Sequence, residues 1–509
     1  MGRMKRLGIF SLVVASGAWA CAAAAQPGAG KAASQAAKPP NIIFLMADDL
    51  GYGDLGCYGQ KKIRTPNLDR MAAGGMRFTQ HYAGNAVCAP SRCVLMTGKH
   101  PGHAWIRNNK EVKPEGQEPM RGWEVTVAEL LHAKGYATGA FGKWGLGMFG
   151  SEGSPLRQGF DRFFGYNCQR HAHNYYTTYL WDNDRRIYLN NPPFSPYQRF
   201  PKGLDPHNPK NYERYRGKVY APDLICEAAL RFIRENKDRP FFLYFPTTVP
   251  HLPLQVPEDS LKEYLGKWPD PPYLGDRAYL PHYAPRAAYA AMITRMDRDI
   301  GRMVRLVKEL GLEKDTIWVF TSDNGPLYSK LGGTDTEFFN SAGGLRGRKG
   351  SLYEGGVRVP CIVRWPGRVP EGAVNDRITG FEDWLPTLLD LIGAGDVKPK
   401  DIDGVSFAPV LLGGRQPPRP FLYREFAGYS GWQSVRIGKW KGVRQGLNPR
   451  GKKAKADLHI ELYDLAKDPA ETEDVSVQNP EIVRRIEMIM NREHARSALF
   501  PLRGLDLVR

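Results

Sequence analysis

Short apolar runs are the main feature of the hydrophobic pattern along this chain, and each of them ends in small or polar residues. They span Asn41–Met46, Ala137–Phe141, Pro240–Phe245 and Asp315–Ser322. Runs of this length with little internal alternation are typical of strands that are buried on both faces. We therefore predict that these segments are core strands of a parallel sheet.

Segments with apolar residues at helical spacing lie between and after the predicted strands. They cover Thr126–Lys134, Ala221–Asn236, Ala287–Glu309 and Thr379–Gly395. This spacing predicts amphipathic helices that pack one face against a core. The alternation of strands and helices predicts an α/β fold in which helices flank the sheet.

The carboxyl-terminal part of the chain has a different pattern. A link rich in Gly and Pro, Lys398–Pro420, precedes strand-like runs at Gly431–Arg436, Trp440–Arg444 and Glu461–Asp464, and a final helix is predicted over Glu481–Ala495. We place a domain boundary at the start of this link. The prediction is a large catalytic domain at residues 40–397 and a smaller α+β subdomain with a short antiparallel sheet at residues 398–509.

The amino terminus has the layout of a secretory signal peptide. A basic start precedes an apolar run, Leu7–Ala20, and small residues follow at Ala23–Ala25. We predict a signal peptide at residues 1–25, a flexible tether at residues 26–39, and export to the periplasm or the medium. Lipid anchoring through Cys21 is the less favoured alternative, because Trp19 is a bulky neighbour for that modification. No other apolar run reaches the roughly 18 residues of a membrane span, so we expect no transmembrane segment.

Composition and charge narrow the function classes. The chain has 509 residues, 42% of them hydrophobic, which suffices for one large domain and a smaller one. Its formal net charge of +18 raises the possibility of nucleic-acid binding. The basic residues are spread along the chain, and only Arg450–Lys455 forms a dense run, so we expect no nucleic-acid partner. A basic exported protein suits polyanionic substrates such as sulfated glycans.

Polar pairs follow two of the predicted strands. Asp48 and Asp49 come after the first strand, and Asp323 and Asn324 come after the fourth. Ligands of open α/β sheets gather beyond the carboxyl ends of the strands, where such side chains can hold a cation. Calcium takes six to eight hard oxygen ligands, and these positions offer four, three of them anionic. We predict one calcium ion, with magnesium as the less favoured alternative because the site is large and rich in carboxylates. A turn or a helix cap is the structural alternative for Asp48 and Asp49.

Several motifs carry a resemblance to a known family. The stretch Asn85–Gly98 reads NAVCAPSRCVLMTG, and its Cys-x-Pro-Ser-Arg resembles the signature by which type I sulfatases specify oxidation of a cysteine to formylglycine. The text DDLGYGDLGCYG from Asp48 resembles the arylsulfatase A-like members of that family. Further matching motifs are GKW at Gly142–Trp144, PHLP at Pro250–Pro253, KGSLYEGGVRVP at Lys349–Pro360 and LYDLAKDP at Leu462–Pro469. The resemblance covers the chain from about Pro40 to its end.

This resemblance implies an alkaline-phosphatase-like fold, with a large mixed sheet flanked by helices, and hydrolysis of a sulfate ester. It implies that a formylglycine-generating enzyme modifies Cys88 and that the hydrated aldehyde attacks sulfur. The implied partners of the sulfate oxygens are Arg92, Lys143 and Lys349, and His251 is the implied acid for the leaving alcohol. The modified Cys88 would join Asp48, Asp49, Asp323 and Asn324 around the calcium ion.

One position departs from the family pattern. Relatives usually carry a histidine two residues after the lysine that corresponds to Lys143, and that histidine helps to release the captured sulfate. This chain has Gly145 there. Another base or water must therefore serve, and His171 and His173 are the candidate replacements. The sequence does not assign this role.

The substrate itself is less constrained than the sulfate pocket. The segment from Tyr166 to Tyr176 combines two histidines, an arginine and asparagine with several tyrosines, a composition suited to sugar rings and their hydroxyls, although a packed structural loop has the same look. We take His103, Arg107, His171 and His173 as candidate substrate-binding residues and favour a carbohydrate sulfate. One alternative is a phosphodiesterase or phosphonate monoester hydrolase of the same superfamily. Another is an inactive sulfoglycan-binding protein, which the residue at position 145 favours.

Overall fold

The strands form two sheets in the computed structural model, which describes Leu12, residues 38–449 and residues 455–506. The larger sheet consists of β1 (Asn41–Ala47), β2 (Met76–Tyr82), β3 (Ala137–Lys143), β4 (Arg162–Tyr166), β5 (Tyr179–Asp182), β6 (Arg185–Tyr188), β7 (Phe241–Pro246), β8 (Thr316–Ser322), β9 (Arg358–Arg364), β10 (Ala373–Asn375) and β11 (Thr379–Gly380). The smaller sheet consists of β12 (Leu422–Phe426), β13 (Trp432–Ile437), β14 (Trp440–Gln445) and β15 (Glu461–Asp464).

Helices pack on both faces of the larger sheet and on one face of the smaller sheet. They are α1 (Pro66–Ala73), α2 (Cys88–Thr97), α3 (Val127–Ala133), α4 (Ala221–Glu235), α5 (Glu258–Leu261), α6 (Pro285–Glu309), α7 (Glu354–Val357), α8 (Trp384–Leu391), α9 (Ala408–Leu411), α10 (Pro480–Glu493) and α11 (Arg503–Asp506).

The larger sheet is mixed. Its strand order is β10-β2-β9-β8-β1-β7-β3-β4-β5-β6, and β11 pairs with β2. From β8 through β4 all neighbours are parallel. The strands β9, β5 and β6 run antiparallel to their inner neighbours. This arrangement confirms the predicted α/β class with a large mixed sheet, and the antiparallel β12–β15 sheet confirms the predicted smaller one.

Alternate residues of β1 enter two separate cores, one on each face of the sheet. Ile43 and Leu45 lie in the core that contains α4 and α6, whereas Ile42 and Phe44 lie in the core that contains α2 and α8. Successive side chains of a strand point to opposite faces, so an unbroken apolar run is required where both faces are covered. This explains why the run at Asn41–Met46 shows no alternation.

Most predicted elements lie within two residues of the observed ones, but one helix begins later than expected. The segment Thr379–Gly395 was predicted to be helical throughout, whereas α8 covers only Trp384–Leu391. Before it, the Gly380 N–H donates to the Asp383 carboxylate at 2.8 Å, and Glu382 pairs with Arg419 at 2.8 Å. These buried tertiary contacts hold the backbone in a strand and a tight turn at residues where the local pattern indicates a helix.

The smaller sheet packs α10 against one face through apolar residues of both elements, including Val435, Leu462, Ile486 and Met490. Its strands also supply cations to buried carboxylates that lie outside it. Arg424 contacts Glu382 at 2.9 Å, and Lys441 contacts Glu354 at 2.9 Å. Buried charges of this kind are retained only when paired, so these contacts define where the smaller sheet is attached.

Some predictions fall on segments outside the described residues. These are the signal peptide apart from Leu12, the alternative lipid anchor at Cys21, most of the tether and residues 450–454 of the basic run. Within the described residues, no helix is both long and apolar enough to cross a membrane. The six cysteines from Cys57 to Cys361 in the same part of the chain are all free thiols.

Candidate active site

The carboxyl ends of four adjacent parallel strands meet at one edge of the larger sheet. In sheet order these strands are β8, β1, β7 and β3. Asp323 and Asn324 follow β8, Asp48 and Asp49 follow β1, and Lys143 is the last residue of β3. His251 lies in the loop after β7. The sheet therefore brings together side chains that are up to 276 residues apart in the sequence, as between Asp48 and Asn324.

Cys88 is the first residue of α2, and the helix points this end at the same edge of the sheet. Its side chain is buried, and its Sγ atom lies 3.5 Å from Asp48 Oδ1, 3.4 Å from Lys143 Nζ and 3.5 Å from Lys349 Nζ. Arg92 lies four residues later on the same helix, so it faces the same side. The structure thus surrounds one thiol with two ammonium groups and a carboxylate.

Alternating charges form a cluster around Cys88 that we call the charged floor. Its members are Asp48, Asp49, Arg92, Lys143, Asp323 and Lys349. Each cation has a carboxylate partner: Lys143 Nζ lies 2.6 Å from Asp48, and Lys349 Nζ lies 2.8 Å from Asp49. Arg92 contacts Asp323 at 2.8 Å and Asp48 at 3.5 Å. All six side chains are buried except that of Lys349, which is 12% exposed.

The carboxylates of the charged floor have perturbed pKa values. Burial opposes ionisation of Asp48, but the charges of Lys143 and its neighbours hold the pKa of Asp48 well below its usual range. Burial raises the pKa of Asp49. Burial and the nearby Asp48 raise the pKa of Asp323 to about 7. Three carboxylates are therefore crowded together at the strand ends, and the protein cations stabilise Asp48 most fully.

The same carboxylates and Asn324 offer ligands for a metal ion. Ligand atoms of Asp48, Asp49, Cys88 and His251 lie within 4.8 Å of one another. The Asn324 amide donates to Asp49 Oδ1 at 2.7 Å, while its own Oδ1 is buried and has no hydrogen-bond partner. A buried carbonyl oxygen without a partner is costly unless it binds an ion or water. This set of hard oxygens fits calcium.

His251 lies above the charged floor with a defined orientation. Its Nδ1–H donates to the Leu252 carbonyl at 2.8 Å, which leaves Nε2 directed at Asp49, 3.5 Å away. Burial and the charge of Lys349 hold the pKa of His251 well below its usual range. The ring of His173 stacks on it, with centroids 4.8 Å apart and an interplanar angle of 9°. The two histidines thus form one rigid pair beside Cys88.

A cavity of about 400 Å³ opens above Cys88, Lys349 and His251. One side of it, which we call the outer wall, consists of Gln169, Arg170, His173, Tyr197 and Tyr279. Of these, His173 is a candidate from the sequence, and Gln169 and Arg170 lie in the same Tyr166–Tyr176 segment, whose composition indicates a sugar-binding loop. Tyr197 and Tyr279 lie in loops without periodicity or a recognisable motif.

Gln169 occupies the space beside Gly145, where relatives carry a histidine. Gly145 has φ +81°, and a Cβ atom at this position would lie 2.2 Å from Gln169 Nε2. The Gln169 side chain is itself buried, and its Oε1 has no hydrogen-bond partner. Glycine is therefore required here for two reasons, namely the left-handed backbone and the position of the glutamine amide.

The remaining predicted substrate residues lie at different places. His171 faces a neighbouring cavity rather than Cys88. His103 contacts Asp403 at 2.9 Å and stacks on His100, and Arg107 pairs with Glu425 at 2.9 Å. Neither His103 nor Arg107 lines the cavity above Cys88. Their contacts are those of ion-pair networks, and a role in substrate binding stays a prediction for both.

Family models match most of the chain. The model of the Sulfatase family matches residues 40–394, and the model described as N-sulphoglucosamine sulphohydrolase, C-terminal, matches residues 348–496. The first match contains all the residues of the charged floor, together with Cys88 and His251.

Individual proteins show the same similarity over nearly the whole length. The chain is 34% identical to arylsulfatase A of Homo sapiens, over 89% of this chain and 87% of that protein. It is 30% identical to N-acetylgalactosamine-6-sulfatase of Canis lupus familiaris, over 91% and 86% respectively. Among solved structures, Ps i-CgsB in complex with k-i-k-neocarrahexaose aligns with a TM-score of 0.72 and 25% identity, over 92% of this chain and 98% of that one.

Proposed function

We propose that this chain, which belongs to the sulfatase family of sulfuric ester hydrolases, cleaves a sulfate ester on a carbohydrate. The reaction would use formylglycine made from Cys88, together with one bound calcium ion. The observation that carries this proposal is the position of Cys88, with Sγ within 3.5 Å of Lys143, Lys349 and Asp48. We propose the same boundaries as the sequence indicated, with the catalytic domain at residues 40–397.

The surroundings of Cys88 suit a hydroxylated group better than a thiol. Burial and the Asp48 carboxylate raise the pKa of the Cys88 thiol to about 12, so the unmodified residue stays protonated and is a poor nucleophile. Two ammonium groups and a carboxylate are strong partners for hydroxyls and weak ones for a thiol. Formylglycine at this position supplies, as its hydrate, a nucleophilic hydroxyl and a second hydroxyl that permits release of sulfate.

Asp48, Asp49, Asp323 and Asn324 are the residues that we propose as calcium ligands from the protein. The unpartnered Oδ1 of buried Asn324 supports this assignment. When all its groups are ionised, the charged floor has three negative and three positive side chains, which cancel. A divalent cation supplies the net positive charge that attracts an anionic sulfate ester and stabilises charge developing on its oxygens.

Lys143, Lys349 and Arg92 are the proposed cations around the sulfate group, and they differ in whether they can contact it directly. Arg92 is tied to Asp323 and Asp48, and we propose that it mainly positions these carboxylates. Lys143 and Lys349 each have an ammonium group within 3.5 Å of Cys88 Sγ, so they can contact oxygens bound to sulfur. Their N–H groups would stabilise the negative charge that develops on these oxygens in the transition state.

His251 is the proposed proton donor to the leaving alcohol. In the free site its pKa lies well below its usual range, owing to burial and the charge of Lys349. An anionic sulfate bound beside it would raise that pKa, because an opposite charge favours the protonated ring. The hydrogen bond from Nδ1 to Leu252 keeps Nε2 directed into the cavity. The base that completes sulfate release stays open between His173 and water.

The carbohydrate part of the proposal rests on relatives and on the cavity. One relative is named for N-acetylgalactosamine 6-sulfate, and one solved structure contains a neocarrahexaose. In this chain the outer wall presents His173, Tyr197 and Tyr279 beside Cys88. Aromatic rings with polar edges are a common surface for binding sugar rings.

Mass spectrometry and turnover together test the mechanism. We expect the Cys88 peptide from the native host to be roughly 18 Da lighter than its sequence mass, because oxidation to formylglycine changes it covalently. Cys88→Ala should abolish hydrolysis of nitrophenyl sulfate. Cys93→Ala is the matched control, since Cys93 is also buried on α2 but does not line the cavity. Turnover by an unshifted Cys88 protein would contradict the mechanism.

A binding protein without activity is the second candidate, and Gly145 is the observation that favours it. An unshifted Cys88 peptide, no turnover and retained binding of a sulfated glycan would support this reading.

A phosphonate or phosphodiester hydrolase is tested in the same assays. Higher kcat/KM for nitrophenyl phosphonates or phosphate diesters than for nitrophenyl sulfate would favour that class.

A further inference from the structure

We propose that a second cavity beside the active site binds an uncharged sugar ring linked to the sulfated one, so that the substrate is an oligosaccharide. This inference rests on the proposed function and adds the identity of the neighbouring ring. The second cavity has a volume of about 330 Å³, and its lining includes His171, Tyr179 and Phe194. Its size lies within the range of about 300–1,000 Å³ that is typical of small-molecule sites.

The two cavities share one partition. Glu111, Arg170 and Tyr197 line both of them. The residues around Arg170 divide between the two cavities: Gln169 and His173 line the cavity above Cys88, whereas Cys168 and His171 line the second one. A ligand that extends past Arg170 therefore passes directly from the first cavity into the second.

The partition is easily moved. The Arg170 guanidinium pairs with Glu111 at 3.0 Å, and the side chains are 62% and 39% exposed. Exposed ion pairs contribute little to stability, so a ligand can displace this pair at small cost. Tyr197, whose ring lies 5.9 Å from the same guanidinium, offers an aromatic surface at the junction.

His171 contributes a neutral aromatic ring to the lining of the second cavity. Its side chain is 9% exposed, and its Nε2 lies 2.9 Å from Thr177 Oγ1. Burial lowers the pKa of His171 to about 4, so the ring is neutral near pH 7 and adds no charge to the lining. Asn174, Thr177 and Thr178 line the same cavity and supply polar groups that can bind sugar hydroxyls.

The surrounding groups are already committed to one another. Glu115 Oε1 lies 3.5 Å from His171 Nδ1 but accepts a hydrogen bond from Trp181 at 2.7 Å, and Glu115 Oε2 accepts from the Tyr179 hydroxyl. Tyr179 stacks on His171 with ring centroids 4.3 Å apart. These contacts hold the His171 and Tyr179 rings in place, so this aromatic part of the lining is already formed before a ligand binds.

Charge on the lining selects against an acidic ring. Arg170 is the one cation among the described residues that line the second cavity, and it is paired with Glu111. Glu115 is the other charged residue of the lining, and it pairs with Arg186 at 3.2 Å. A uronic acid or a second sulfate would therefore find no uncommitted cation in this cavity, whereas a neutral or N-acetylated hexose needs none.

The wild-type enzyme provides the first test. We would measure kcat/KM for nitrophenyl sulfate, for a sulfated monosaccharide, and for disaccharides that join the same sulfated ring to a neutral hexose or to a uronic acid. We expect kcat/KM for the neutral disaccharide to be about 10-fold higher than for the monosaccharide. For the uronic disaccharide we expect a smaller increase over the monosaccharide. Equal values for monosaccharide and disaccharides, with nitrophenyl sulfate turned over, would overturn this inference alone. Inactivity toward every sulfate would overturn the proposed function instead.

Variants at Phe194 provide the second test. Phe194→Ala removes an aromatic side chain from the lining of the second cavity, and it should lower the kcat/KM ratio of neutral disaccharide to monosaccharide by about 5-fold, because the neighbouring sugar ring loses that contact. Phe194→Tyr keeps the aromatic ring and should retain most of the ratio. Met488→Ala, at an exposed position of α10, should change neither value. A ratio unaffected by Phe194→Ala would contradict the proposed contact.

Discussion

The charged floor, of which Lys349 lines the cavity above Cys88, and the outer wall of that cavity are built in different ways. Five of the six floor residues are fully buried, and most of them follow sheet strands directly. The wall is formed by loops, and Tyr197 is 40% exposed. Floor contacts are ion pairs, whereas wall contacts are aromatic stacks such as that of His173 on His251. Rigid strand ends thus hold the groups proposed for sulfate, and loops hold those proposed for the sugar.

This contrast has an energetic consequence. Removing one member of a buried ion pair leaves its partner charged and without water, which costs far more than losing an exposed contact. The floor should therefore tolerate almost no substitution, in stability or in activity. The wall should tolerate many, with changes confined to the choice of substrate.

Lys143→Met would break the floor most severely. It leaves Asp48 without its 2.6 Å partner, and we expect a loss of about 3–5 kcal/mol of unfolding free energy and no measurable turnover. Urea denaturation and nitrophenyl sulfate kinetics measure the two effects. Lys439→Met is the matched control, because Lys439 pairs with Asp464 at 2.6 Å but is 47% exposed, and it should cost less than about 1 kcal/mol. Equal costs would contradict the contrast.

Metal removal should affect activity more than folding. The floor carboxylates have protein cations as partners, so the chain should remain folded after chelation while turnover falls by at least about 100-fold. Circular dichroism and kinetics with and without added calcium would measure this. Magnesium should restore less activity, because it prefers a smaller octahedral site. Full activity after exhaustive chelation would rule out the proposed calcium ion.

His251→Ala tests the junction between floor and wall. If His251 protonates the leaving oxygen, its loss should lower kcat/KM for a sugar sulfate by about 100-fold and that for nitrophenyl sulfate much less, because nitrophenolate leaves without a proton. His173→Phe preserves the stacked ring and should reduce both values by less than about 10-fold. A uniform loss for both substrates in His251→Ala would argue against an acid role.

Gly145→His should produce the smallest effect, and it tests how the wall replaces the missing histidine. The left-handed backbone at Gly145 and the contact with Gln169 should together cost about 2 kcal/mol of unfolding free energy. Adding Gln169→Gly removes the clash and should recover about 1 kcal/mol, measured by urea denaturation. Additive losses in the double variant would show that Gln169 does not occupy the space in question.

Much of the fold could be predicted because its signals are local. The strand over Asn41–Met46 and the helix over Ala287–Glu309 each have an apolar pattern that suffices to define them. The sequence pattern does not predict the strands β5 and β6, because they are short and most of their residues are partly or fully exposed. The late start of α8 was missed because its cause is a set of ion pairs with Arg419 and Arg424.

The candidate site divides in the same way. Asp48, Asp323 and Cys88 were singled out from strand ends and a motif, and the structure brings them together. Gln169 and Tyr279 were not, because their position beside Cys88 results from the path of long loops. His103 and Arg107 have the residue types of a binding site, but the structure pairs them with Asp403 and Glu425 instead.

The sequence by itself determined four of the buried strands, β1, β3, β7 and β8, the polar residues that follow β1 and β8, and the cysteine that stands in the family motif. Only the tertiary structure decided that β8, β1, β7 and β3 are neighbours, that Gln169 lies against Gly145, and that a second cavity adjoins the first. The physical reason is range. Hydrophobic periodicity acts between residues a few positions apart, whereas strand order and loop packing depend on contacts between distant parts of the chain.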